Sequence, residues 1–268
     1  MKTKAPWFIN YINRVADGLG VDLEQGMSAA RTGGLAVKVL GFDIEISNVF
    51  DLRPGEDINK YAPFDVAVAA TQIEGGEHRI WYSPASDGKP SLNMDRGRAR
   101  ELLDYLEQMQ KAGHAVCAWN GLSFDLRWIA RAADDVKTAS RVARALYDPM
   151  FQFFKMKGFP VSLAAVAEGL GVPLKKSMAA EDAPREWQAG NHQRVFDYVL
   201  GDARMTNQIV EAILRRKQIA WITQRGQRRS EPLPRLKSVA ECMLDPMPDQ
   251  SWMAKPLGQE KFVKWLTA

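Results

Sequence analysis

Residues 35–46, LAVKVLGFDIEI, set two acids, Asp43 and Glu45, inside a run that is otherwise apolar and rich in β-branched residues. The run is too short to span a membrane, and its composition suits a central β-strand. Side chains alternate along a strand, so Asp43 and Glu45 share one face while Ile44 and Ile46 take the other. Two carboxylates held that close repel each other unless a cation, a shared proton or water relieves them. Any fold for this chain must therefore give the acidic face of this strand a partner.

Two further places put acids where packing alone does not ask for them. In Asn120-Gly121-Leu122-Ser123-Phe124-Asp125 the acid follows residues 114–119 (HAVCAW), a short apolar run that suits a strand parallel to the first. Asp125 then falls at the carboxyl end of the strand, where ligand sites of α/β sheets gather. In Tyr198-Val199-Leu200-Gly201-Asp202 the spacing of four puts Tyr198 and Asp202 on one face of a long helix, one turn apart. Each piece alone has an ordinary reading. A D-x-E pair often marks a solvated strand face, an acid such as Asp125 suits a helix N-terminus, and a Tyr/Asp pair suits the margin of a core.

The remaining chain fits an α/β architecture. Residues 64–73 and 78–82 read as two more strands joined by the Gly75-Gly76 turn, making an antiparallel meander with the first. Helical spacing follows at 96–112 and from about 124 through 145, LYDPM suggests a last strand, and Ser162 caps SLAAVAEGLG. Residues 171–190 read as a loop, and 191–216 as a long helix. Strand and helix alternation after an antiparallel start indicates a mixed sheet flanked by helices. The N-terminal residues 1–35 are expected to be a helical extension, 36–216 the main domain, and 217–268 a small basic C-terminal module. In that module a ribbon turning at Arg225-Gly226 precedes short helices at 237–244 and 259–267.

The chain of 268 residues can bury a substantial core, and no apolar stretch approaches the length of a membrane span. The N-terminus lacks a continuous signal-peptide core, so a soluble, cytoplasmic, unprocessed protein is expected. Cys117 and Cys242 have no metal-ligand spacing and suit buried, reduced thiols. The net charge of +4 and pI near 9.0 favour polyanionic partners weakly. Its distribution matters more: from Arg215 to Lys237, eight basic residues face the single acid Glu231. That cluster suits phosphates or simply a solvated surface. Trp187, Trp221, Trp252 and Trp265 are candidates to stack on unpaired bases, Trp221 on the basic ribbon first among them, although isolated tryptophans more often pack in cores.

The motifs FDIE (Asp43, Glu45), N-x-x-x-F-D (Asn120, Phe124, Asp125) and Y-x-x-x-D (Tyr198, Asp202), in this order, resemble those of the DEDD superfamily of 3′-to-5′ exonucleases, also called DnaQ-like. The resemblance spans about residues 36 to 215. That family divides on a histidine five positions, or a tyrosine four positions, before the last Asp. Here Asp197 holds the first position and Tyr198 the second, which places the resemblance in the DEDDy branch, PolB-like in its FDIE element. The resemblance implies a ribonuclease H-like fold and a metal-dependent exonuclease releasing nucleoside 5′-monophosphates from single-stranded DNA or RNA 3′ ends, DNA favoured. It leaves two arrangements equally open, a polymerase or repair partner served in trans and a free-standing repair, processing or phage-type nuclease.

The donor chemistry agrees with that resemblance, because four carboxylates without histidine or cysteine are hard donors that select Mg²⁺ or Mn²⁺ over zinc. Two such ions about 3.5–4 Å apart clamp the attacking and leaving oxygens of a phosphodiester. By the resemblance Asp43, Glu45, Asp125 and Asp202 are the metal ligands, Glu45 also holds the terminal 3′ hydroxyl, and Tyr198 orients the attacking water. Ile46, Asn120 and Phe124 are implied contacts of the terminal nucleotide, and Lys175 or Lys176 a substrate contact. Two other classes stay open at this level: a non-catalytic nucleic-acid-binding or scaffold module of the same fold, and a divalent-metal phosphohydrolase acting on small nucleotides.

Overall fold

The computed structural model describes residues 38–51, 53, 56–173 and 178–267. The expected N-terminal helices, Pro54-Gly55 and Lys175-Lys176 lie outside the described residues. The acidic run forms β1 (Val39–Ile46), paired antiparallel with β2 (Val66–Ile73), which pairs antiparallel with β3 (His78–Trp81). On its other side β1 pairs parallel with β4 (Ala115–Cys117), giving the order β3-β2-β1-β4. This is a mixed α/β sheet consistent with a ribonuclease H-like fold.

Alternation along β1 sorts the core into two layers. Leu40, Phe42, Ile44 and Ile46 point to one face, where they pack with Leu102, Leu103 and Leu106 of α1 (Arg96–Lys111) and with Leu126 and Ile129 of α2 (Asp125–Ala133). Val142 and Ala143 of α3 (Val136–Ala145) complete that layer, joined by Val239, Cys242, Phe262 and Leu266 from the C-terminal segment. The opposite face is covered by the 25-residue helix α7 (His192–Arg216), whose Val195, Val199, Leu200 and Ala203 pack on Val68 and Ala70 of β2. Between α3 and α7 run α4 (Pro149–Lys157), α5 (Leu163–Leu170) and α6 (Ala183–Gln188).

Beyond α7 the expected ribbon is present as β5 (Gln218–Ile222) and β6 (Arg228–Pro232), followed by α8 (Val239–Leu244) and α9 (Glu260–Val263). Ile219, Ala220 and Trp221 share a buried cluster with Val166, Ala167 and Leu170 of α5. Among the described residues, no helix is long and apolar enough to cross a membrane. Both cysteines are buried free thiols, and burial pushes the Cys242 thiol up to about 12.

Four local expectations need correction. The helical run from 124 to 145 is two helices, because Asp134 turns left-handed at φ 50° and Asp135 starts a new helix by accepting the amide of Thr138 at 2.9 Å. LYDPM is not a full strand: Tyr147 bridges Cys117, and the next two residues open α4, with Pro149 unable to donate to a sheet and Asp148 capping the helix. Residues 171–190 include a 3₁₀ turn (Ala180–Asp182) and α6, too short to show a helical period but held by the buried Trp187, whose indole donates to the Leu92 carbonyl. Trp221 is only 6% exposed, packed edge-on against Phe153 at 4.9 Å between ring centroids, so it is a core residue and not an open stacking platform.

Candidate active site

The acidic face of β1 is covered by α7, which brings a third acid to the pair. Gly41, Asp43 and Glu45 lie on the face that α7 covers, and the missing side chain at Gly41 lets the helix approach the strand. Asp202 therefore arrives beside the two strand acids, and Asp43, Glu45 and Asp202 each offer a carboxylate oxygen within 4.8 Å of the others. A register irregularity between Glu45 and Ile46 ends the regular pairing of β1 with β2 beside the acids. Bulges of this kind commonly re-aim side chains next to functional sites.

Asp125 reaches the same place from the other side of β1. The last parallel pair joins Gly41 to Cys117, so β1 runs on with an open edge past residue 41. The Asp125 carboxylate takes the amide of Ile44 at that edge, at 3.1 Å. Asp125 lines the same cleft as the trio but is not one of the three acids within 4.8 Å. It is buried, and burial first, with the neighbouring Asp148 charge second among the raising influences, lifts its carboxyl well above the usual range.

Tyr198 stands one helical turn before Asp202 and borders the same cleft. The tyrosine is 3% exposed, and burial, followed by the charges of Asp202, Glu45 and Asp43, drives its hydroxyl far above the ordinary phenol value. It keeps its proton through the neutral range.

These groups line a cleft of ≈ 300 Å³. Eight of the residues singled out from the sequence border it: Asp43, Glu45, Ile46, Asn120, Phe124, Asp125, Tyr198 and Asp202. Ile46 is mostly buried, whereas Asn120 and Phe124 are half-buried at the mouth. Trp119, Asn48 and Glu181 also border it, and no sequence spacing marked them.

Asp148 was the residue that sequence reasoning missed. Its buried carboxylate accepts the amides of Asn120 (3.2 Å) and Leu122 (3.1 Å) across the chain, and of Met150 and Phe151 (3.1 Å each) in α4. The Asn120 loop, held at a left-handed φ of 67°, is thus tied to the start of α4. The only signal in the sequence was Asp-Pro, a common helix start.

The sequence matches no protein-family model and no curated protein. Among solved structures the chain is similar to the family B DNA polymerase from the hyperthermophilic archaeon Pyrobaculum calidifontis, at 18% identity and a TM-score of 0.48, covering 67% of this chain and 25% of that one. The chain spans a quarter of that polymerase's length, so the functional reading rests on the residues of the cleft.

Proposed function

We propose that the protein is a metal-dependent 3′-to-5′ exonuclease of the DEDDy type, acting on single-stranded nucleic acid, with DNA the favoured substrate. The observation that carries this reading is the convergence of Asp43, Glu45 and Asp202 within 4.8 Å, with Tyr198 lining the same cleft and Asp125 bonded to the amide between the two strand acids. The donor set contains only carboxylates, which suits Mg²⁺ or Mn²⁺. In this reading Asp43, Glu45, Asp125 and Asp202 hold two such ions, and 36–216 is the catalytic domain. When bound, the ions supply charge stabilisation to the attacking and leaving oxygens of the phosphodiester.

The chain's own residues do the positioning. Tyr198, neutral, orients the attacking water, and Glu45 holds the terminal 3′ hydroxyl. Asn120 and Phe124 at the mouth, with Ile46 behind, contact the terminal nucleotide. A polymerase or repair complex is the kind of partner this reading fits.

The test incubates the protein with 5′-labelled single-stranded DNA or RNA and Mg²⁺ or Mn²⁺. The expected result is a ladder shortening from the 3′ end, lost by at least about a thousandfold in Asp43→Ala and Asp202→Ala. Mn²⁺ should also raise the melting temperature of the wild type and not of Asp43→Ala. Binding without shortening would leave a nucleic-acid-binding module instead. Monophosphate release from nucleotides but not from polymers would leave a small-molecule phosphohydrolase.

A further inference from the structure

The carboxylate cleft adjoins a second, larger groove of ≈ 810 Å³, and Trp119 and Asn120 border both. One side of this groove is Ser162 and Leu163 at the start of α5, and the other is Leu257, Lys261 and Phe262 from the C-terminal segment. The floor is fixed where the two cavities meet: the Trp119 indole donates to the Val161 carbonyl at 3.1 Å, and Asn120 is held by Asp148 beneath it.

Two cations face the groove, and both can take an anion. Arg127 lies with its guanidinium 4.5 Å above the Trp128 ring centroid, and among the described residues no carboxylate lies within 4.0 Å of it. Lys261 bridges to Asp57 at 3.7 Å, but both side chains are more than half exposed. An exposed pair of this kind contributes little, so the ammonium can exchange its carboxylate for a phosphate at small cost.

We propose that this groove carries the nucleotides preceding the scissile 3′ end, with Arg127 and Lys261 on their phosphates and Trp119 against a base, so that the C-terminal segment forms one wall of the substrate track. The inference rests on the nuclease reading. It extends that reading by assigning the strand's path to a groove built partly from residues beyond the catalytic helix. Single-stranded nucleic acid fits because it offers both features the groove addresses, a repeating phosphate and an unpaired base face.

The experiment measures binding rather than cleavage. Fluorescence anisotropy with labelled oligothymidylates, a trinucleotide and a dodecanucleotide, is recorded in Ca²⁺ across salt from ~50 to 200 mM. Wild type is compared with Lys261→Ala, Arg127→Gln, the double variant, and Lys89→Ala as a charge-matched control on a residue that lines neither cavity. The longer oligomer should bind more tightly to wild type, and each groove substitution should shrink that gain by roughly threefold to tenfold and reduce the salt slope by about 0.7. Lys89→Ala should behave as wild type. Equal affinity for both lengths, or variants with an unaltered gain and slope, would overturn the groove assignment. Neither result depends on the 3′ ladder, so failure of the groove and failure of the nuclease reading appear in different measurements. Thermal melts of the variants confirm that any loss of binding is not loss of fold.

Discussion

Gly41 and Ala203 touch where β1 meets α7: a Cβ built on Gly41 would fall 2.4 Å from the Ala203 carbonyl oxygen and 2.6 Å from Asn207 Oδ1. Backbone and a buried side chain leave no room to yield. Asp43 lies two residues from Gly41 on the same face, and Asp202 is the neighbour of Ala203, so this contact sets the distance between acids on different elements.

Gly41→Ala should therefore cost about 1–3 kcal/mol of stability through overpacking, and should blunt the Mn²⁺-induced rise in melting temperature more than that loss alone accounts for. Urea denaturation gives the first quantity and thermal melts with and without metal the second. A variant of wild-type stability with a full metal response would show that something else sets the helix position.

Tyr198→Phe tests whether the phenol positions or takes up protons. Because burial and three neighbouring carboxylates hold the hydroxyl protonated, the wild-type rate should show no limb between pH 6 and pH 9 that belongs to tyrosine. Loss of the hydroxyl should lower kcat by roughly tenfold to a hundredfold while leaving the shape of the pH profile intact. An alkaline limb present in the wild type and absent from the variant would make Tyr198 a base.

Burial pushes the Asp148 carboxyl from its ordinary 3.8 up to about 6, against the pull of four backbone amides. The folded protein then binds this proton more tightly than the unfolded chain, so the stabilisation is full below about pH 4 and is lost as pH rises through about 6. Asp148→Asn has no such proton and keeps an acceptor for the amides. The stability of the wild type relative to the variant should fall by up to roughly 3 kcal/mol across that window. Asp125, whose carboxyl the Asp148 charge also raises, loses that influence in the variant and flattens its profile further. Denaturant melts of both proteins from pH 4 to 7 check the sign, and a difference that grows with pH would refute it.

Trp221→Ala should destabilise the protein by about 3–5 kcal/mol, as removal of a buried indole from a packed core does. The indole meets Phe153, while Gly169 of α5 admits the strand backbone at Trp221. At temperatures where the variant remains folded, its affinity for oligonucleotides should match the wild type in anisotropy titrations. Selective loss of binding without loss of stability would restore a stacking role.

The acids were legible because their signals are local. Asp43 and Glu45 share a face by strand alternation, Tyr198 and Asp202 by helical spacing, and both follow from backbone geometry alone. The antiparallel pairing of β2 with β3 was legible for a similar reason, since a short turn through Gly75-Gly76 joins them, and β4 follows a helix that returns the chain to run parallel. Short or broken elements were not, since α6 and the junction at Asp134 are decided by one buried tryptophan and one left-handed residue, which leave no period to detect.

The sequence by itself determined which carboxylates exist, which of them share a face, and that a strand bearing them needs a partner. Only the tertiary structure decided what meets what. It brought Asp202 to Asp43 and Glu45, set Asp125 on the Ile44 amide, buried Trp221, and placed Lys261 on a groove beside Asn120. The physical reason is that a side chain's direction follows from a few local dihedral angles, whereas its neighbours from distant parts of the chain are fixed by close packing, and here by the absence of a single methyl group at Gly41.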